Sequence, residues 1–247
     1  MQETRLMMGM PITVAVVDPR TPDTIEAVFS YLDKVDRRFS TYRDDSEVAA
    51  INAGRLSSAD YSDEMREVLT LAERTRAETA GYFDIHRKNG GIDPSGVVKG
   101  WAIRNAAEIV ARSGARRYFI DAGGDIQSHG TNAEGGAWRV GIRNPFNHDE
   151  IIKVVRPDGH GVATSGTYVR GQHIYDPHRP GATIDDLVSM TVIGRDVLEA
   201  DRFATAAFAM GATGIGFIEG IPDLEGYAVW RNRTATMTSG FQRFVIQ

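Results

Sequence analysis

Residues 11–17, "PITVAVV", alternate in the manner of a half-buried strand, and from Thr24 to Phe39 the apolar residues Ile25, Val28, Phe29, Leu32 and Val35 recur at helical intervals. The polar stretch "STYRDDSEVAAINAG" reads as a loop. A second helix, from about Asp63 to about Thr79, collects Met65, Val68, Leu69 and Ala72 on one side before Gly81 ends it. A third runs from about Gly100 to about Ser113 and stops at Gly114. The next apolar stretches, "RRYFIDAGG", "AWRVGIR", "IIKVVR", "GVATSG" and "SMTVIG", read as strands broken by Gly, Asn and Pro turns. A fourth helix follows in "LEADRFATAAFAMG", residues 198–211, and "GYAVWR", "TATMTS" and "FQRFVIQ" close the chain as further strands. Strands in direct succession favour antiparallel pairing over a doubly wound sheet, so the pattern predicts one α+β unit over residues 1–247, a mostly antiparallel sheet flanked by helices.

Composition narrows the partners. With 42% hydrophobic and 25% charged residues the chain can bury a sizeable core, and a net charge of −5 without a long Lys/Arg run argues against nucleic acid or an anionic membrane surface. The absence of cysteine removes disulfides, thiolate catalysis and Cys-ligated zinc, leaving oxygen or histidine to hold any metal. The first residues, "MQETRLMMGMPITVAVVDPR", match neither a secretory signal nor a membrane span, so a cytoplasmic location without membrane insertion is expected.

Candidate chemistry gathers in five places. In the fourth helix Asp201 and Thr205 stand four residues apart, one turn apart on one face, and both offer oxygen; the same spacing suits a solvated stripe. "GYFDI" offers Tyr82 and Phe83 for a planar ring and Asp84 as acceptor, or simply fills core. "IDPSGVVKGWA" sets Asp93, Ser95, Gly96 and Lys99 before a helix, where unpaired amides and the helix dipole hold anions; an Asp-Pro turn with a capping serine is the alternative, and the spacing is not that of a P-loop. "IDAGGDIQSHG" places Gly123 and Gly124 directly after a strand, as a tight turn or a close approach to a ligand, without the order of a Rossmann fingerprint. In "ATSGTYVRGQHIYDPHRPG", Arg170 and His173 suit phosphate better than His173, Asp176 and His178 suit zinc.

Taken in order, "MGM" at 8–10, "FSTY" at 39–42, "GYFDI" at 81–85, "DPSGVVKG" at 93–100, "DAGGDI" at 121–126, "SGTYVRGQHIYDP" at 165–177 and "EADRFATAAFAMG" at 199–211 resemble the ApbE family of FAD:protein FMN transferases over nearly the whole chain. The resemblance implies an enzyme that cleaves FAD with Mg²⁺, moves FMN to a Thr or Ser of an acceptor protein and releases AMP. It implies Asp201, Thr205 and the carbonyl of Gly96 as magnesium ligands, and His173 and Asp201 as catalytic groups. For FAD it points to Met8, Ser40, Tyr42, Tyr82, Phe83, Asp84, Asp93, Ser95, Lys99, Gly123, Gly124, Arg170, His173 and Ile174. Three departures stand out: only "IHRKNGGI" separates the "FD" and "DPSG" motifs, Lys99 lies where some members have Glu, and the family's usual export signal is missing. Two other activities fit the same residues, an FAD pyrophosphatase giving FMN and AMP and a flavin-binding protein without turnover.

Overall fold

The computed structural model describes residues 1–18, 22–87, 90–166, 174–179 and 183–246. Strands β1 (Gln2–Met7) and β2 (Met10–Val16) form an opening hairpin, followed by helices α1 (Pro22–Phe39), α2 (Glu47–Asn52), α3 (Asp63–Glu78) and α4 (Ser95–Arg112). Then come β3 (Tyr118–Ala122), β4 (Asp125–His129), β5 (Val140–Asn144), β6 (Asn147–Val155), β7 (Gly161–Gly166) and β8 (Leu187–Gly194). Helices α5 (Val197–Ala209) and α6 (Gly214–Glu219) precede β9 (Glu225–Trp230) and β10 (Ala235–Met237). Eight strands pair antiparallel in the order β1-β2-β3-β4-β7-β8-β9-β10, while β5 and β6 form a separate hairpin. The expected α+β class, antiparallel sheet with flanking helices, is what the chain adopts.

Alternation along the strands divides the core between the two faces of the sheet. Ile12, Val14 and Val16 of β2 and Ile120 of β3 pack on α1 and α4, and Met190 and Val192 of β8 pack on α5. On the opposite face, Ile126, Val162, Ile193 and Val229 meet Val140 and Ile142 of the β5–β6 hairpin and Phe241 and Phe244 of a C-terminal 3₁₀ turn. β8 is therefore buried at every position, its Ser189 and Thr191 included, between core on both faces. Among the described residues no helix is long and apolar enough to cross a membrane.

Several elements depart from the periodicity reading, each for a physical reason. The polar stretch after α1 holds a helix, α2, because Ser46 caps it by accepting from the Ala49 N–H. α4 begins at Ser95 rather than Gly100, since its glycines serve packing against α5 instead of ending the helix. β4 shows no apolar alternation because most of its buried residues are polar: Asp125 is ion-paired, and Gln127 accepts from the Val197 N–H and donates to the Gly159 carbonyl. In "FQRFVIQ" Phe241–Phe244 form a 3₁₀ turn whose two phenylalanines, three apart, share one side.

Candidate active site

A cleft of about 1150 Å³ opens between the β5–β6 hairpin, the β3–β4 turn, the segment Tyr82–Arg87, the first turn of α4 and one face of α5. The β3–β4 turn is made by Gly123 and Gly124, at φ +62° and +99°, and Asp121 holds it by accepting from the Gly124 N–H at 2.8 Å. Burial pushes the Asp121 carboxyl up, against the pull of that N–H.

The floor of the cleft is built where α4 crosses α5. A Cβ on Gly100 would lie 2.8 Å from Cβ of Asp201 and 3.0 Å from Cα of Leu198, so only glycine lets the two helices approach this closely. The Gly100 N–H donates to Asp201 Oδ2 at 2.8 Å. Lys99 reaches the same place, with Nζ 3.7 Å from Asp201 Oδ1 and 2.5 Å from Asp125 Oδ2. Asp125 Oδ1 accepts from the Thr164 N–H at 3.1 Å. Asp201 is 3% exposed. That burial, with Asp125 beside it, pushes its carboxyl up to about 7 against the opposing pull of Lys99 and the Gly100 N–H.

One turn along α5, the Thr205 hydroxyl lies 3.3 Å from Ser165 Oγ at the end of β7. A Cβ on Gly96 would sit 3.6 Å from Thr205 Cγ2 and 3.1 Å from the Phe83 ring, so the first turn of α4 faces these hydroxyls. Among the described residues no three His, Cys, Asp or Glu side chains gather as a metal cluster. A cation here would meet carboxylate and neutral oxygen, the hard donor set that suits Mg²⁺, and the residues fit such an ion.

The structure brings Tyr82, Phe83, Asp84, Asp93, Ser95, Gly96, Lys99, Gly123, Gly124, Ile174, Asp201 and Thr205 to the cleft. Phe83 is buried in the core beneath Gly96, and Tyr82 meets the His178 ring edge-on at 4.5 Å. Asp84 accepts from the His86 N–H, and Asp93 from the Ser95 N–H and Arg87; in both, these partners outweigh burial and hold the carboxyl below its usual range. Met8 is not among the lining residues, although Gly9 and Met10 beside it are. Ser40 and Tyr42 also stand apart from the lining: the Ser40 carbonyl accepts from the Ser46 hydroxyl, and the Tyr42 ring is 97% exposed. Arg170 and His173 lie outside the described residues. Periodicity does not mark Asp125, Ser165 and Arg143, which line the cleft or reach into its floor from strands, nor Arg139, which lines it just before β5; the acidic residue ending "DAGGD" is the one signal for Asp125.

Buried carboxylates, hydroxyls and a lysine beside a helix N-terminus, at the floor of a large cleft, define an α+β protein with the chemistry for an anionic ligand. The chain belongs to the ApbE family, whose family model matches residues 8–89 and 85–228. The two matched stretches meet at "IHRKN", within the short segment between the "FD" and "DPSG" motifs. The chain is 25% identical over 306 residues to the FAD:protein FMN transferase of Salmonella typhimurium, covering 95% of this chain and 86% of that protein. It is 28% identical over 253 residues to the enzyme of the same name from Escherichia coli K12, covering 78% and 72%. In fold it is similar to the flavin transferase ApbE from Vibrio cholerae, with TM-score 0.85 and 22% identity over 99% of this chain and 98% of that one. It is also similar to the ApbE protein of Thermotoga maritima, with TM-score 0.86 and 20% identity over 100% and 99%.

Proposed function

We propose that the chain, residues 1–247 acting as one domain, is a Mg²⁺-dependent FAD:protein FMN transferase. In this reading an acceptor Thr or Ser oxygen bonds to the FMN phosphorus as that phosphorus loses its bond to the bridging oxygen. AMP leaves with the bridging oxygen, and the hydroxyl proton passes to His173. The observation that carries the reading is the meeting of Asp201, Thr205, Ser165 and Lys99 against the first turn of α4 in a cleft roomy enough for a dinucleotide. The activity named for the Salmonella and Escherichia relatives supports it.

Asp201, Thr205 and the Gly96 carbonyl would hold Mg²⁺, which when bound neutralises charge on the pyrophosphate. Lys99, Arg170 and the α4 amides from Ser95 onward bind and orient the phosphates. Tyr82, Phe83, Asp84, Asp93, Gly123, Gly124 and Ile174 form the wall for the rest of FAD, with Met8, Ser40 and Tyr42 at its margin.

The test is incubation with FAD and Mg²⁺, with and without a Thr-bearing acceptor domain, following AMP, free FMN and protein-bound flavin by mass. Flavin on the acceptor, lost in Asp201→Ala, is the expected result. FMN and AMP without adduct would mark a pyrophosphatase instead, and unchanged FAD a binding protein.

A further inference from the structure

Asp125 and Asp201 come from different elements, yet they are held in the same manner. Each gives one carboxylate oxygen to a backbone N–H, of Thr164 at 3.1 Å and of Gly100 at 2.8 Å, and each aims the other at the ammonium of Lys99, at 2.5 and 3.7 Å. The two carboxylate side chains are 1% and 4% exposed, whereas Lys99 keeps 22% of its surface open to the cleft. With both acids ionised, two buried carboxylates and one ammonium leave the cluster one positive charge short of balance among the described residues. Its ammonium sits against Asp125 and within 3.7 Å of Asp201.

We infer that Lys99 is the resident cation of the site: paired with Asp125 and 3.7 Å from Asp201, it competes with a divalent ion for Asp201, and the ion's arrival turns the ammonium away from Asp201 toward the cleft. There it meets a diphosphate. The inference rests on the metal site proposed above and deepens it, because it makes metal and diphosphate binding cooperative through one side chain. An ammonium beside Asp201 opposes an incoming dication and favours an incoming anion, so removing it must move the two affinities in opposite directions. A lysine that merely props the helices apart would weaken both.

The experiment is binding to the full chain without FAD, with Mn²⁺ followed by electron paramagnetic resonance and ADP, as the diphosphate probe, by calorimetry in the absence of metal. In Lys99→Met, Mn²⁺ is expected to bind about tenfold tighter and ADP about tenfold weaker, while Lys99→Arg, which keeps the charge, stays near wild type for the metal. If Lys99→Met fails to fold with two uncompensated carboxylates, Lys99→Gln, which still offers a hydrogen bond, carries the same expectation. Mn²⁺ binding unchanged or weakened in the folded variant overturns the inference while leaving the metal site standing. Mn²⁺ affinity that is no different in Asp201→Asn overturns the metal site, and the inference with it.

Discussion

Asp201 and Arg202 are neighbours on α5, both buried and oppositely charged, and their surroundings differ in kind. The Arg202 guanidinium is closed in: Glu78 of α3 and Glu199 of its own helix pair with it, Thr75 accepts from it, and its plane lies 4.0 Å from the Phe203 ring centroid. Asp201 is held at one oxygen by the Gly100 N–H and shares a single ammonium with a second carboxylate, at the floor of an open cleft. One charge is satisfied within the protein and fastens α5 to α3. The other is left for something from outside, and that contrast separates scaffold from site on a single helix.

The contrast breaks most completely at Asp201. Asp201→Ala should lower flavin transfer on the order of 10³-fold or more while leaving the fold intact, read by adduct mass and circular dichroism. Arg202→Ala should do the reverse, costing about 3 kcal/mol through the stranded glutamates and lowering Tm by roughly 6–12 °C, with activity per folded molecule retained. Gly100→Ala falls between the two: its methyl group would meet Asp201 at 2.8 Å, and a loss of about 1–3 kcal/mol should accompany weaker Mn²⁺ binding in titrations.

Proton linkage sharpens the difference further. With the Asp201 carboxyl raised to about 7, the folded metal-free protein takes up a proton that the unfolded chain releases near pH 4. Its contribution to stability is full below that pH and is lost as pH rises through about 7. Tm of the metal-free protein should therefore fall between pH 5 and 8, and Asp201→Asn should flatten that slope. The smallest effect is expected at Tyr42. Its ring is 97% exposed and apart from the cleft lining, so Tyr42→Ala should change FAD affinity by no more than about twofold. A larger loss would show that the α1–α2 loop folds onto bound flavin.

Much of this was legible in the chain. Helical periodicity marks α1, α3 and α5 closely, because their apolar residues recur at helical spacing, and apolar runs bounded by turn residues mark β7, β8 and β9. β1 escaped because it is an edge strand whose residues alternate between exposed and half-buried, and β4 because most of its buried residues are polar. The same cause hid half of the charge cluster. Asp201 and Lys99 read as chemistry residue by residue, whereas Asp125 and Ser165, though inside "DAGGDI" and "SGTYVRGQHIYDP", acquire their roles from partners far along the chain, which a local pattern does not show.

Those long separations bear on how the chain is made. Gly100 and Asp201 stand 101 residues apart, and Thr164 meets Asp125 across 39, so the floor of the cleft closes only after most of the sequence has left the ribosome. Contacts of such long range are late events in folding, and a ligand that binds only the finished site stabilises only the finished fold. A chain truncated before α5 would carry the glycine turn, the lysine and one of the two acids, and still lack the place where they act together. Occupancy of the cleft thus certifies that synthesis has passed α5.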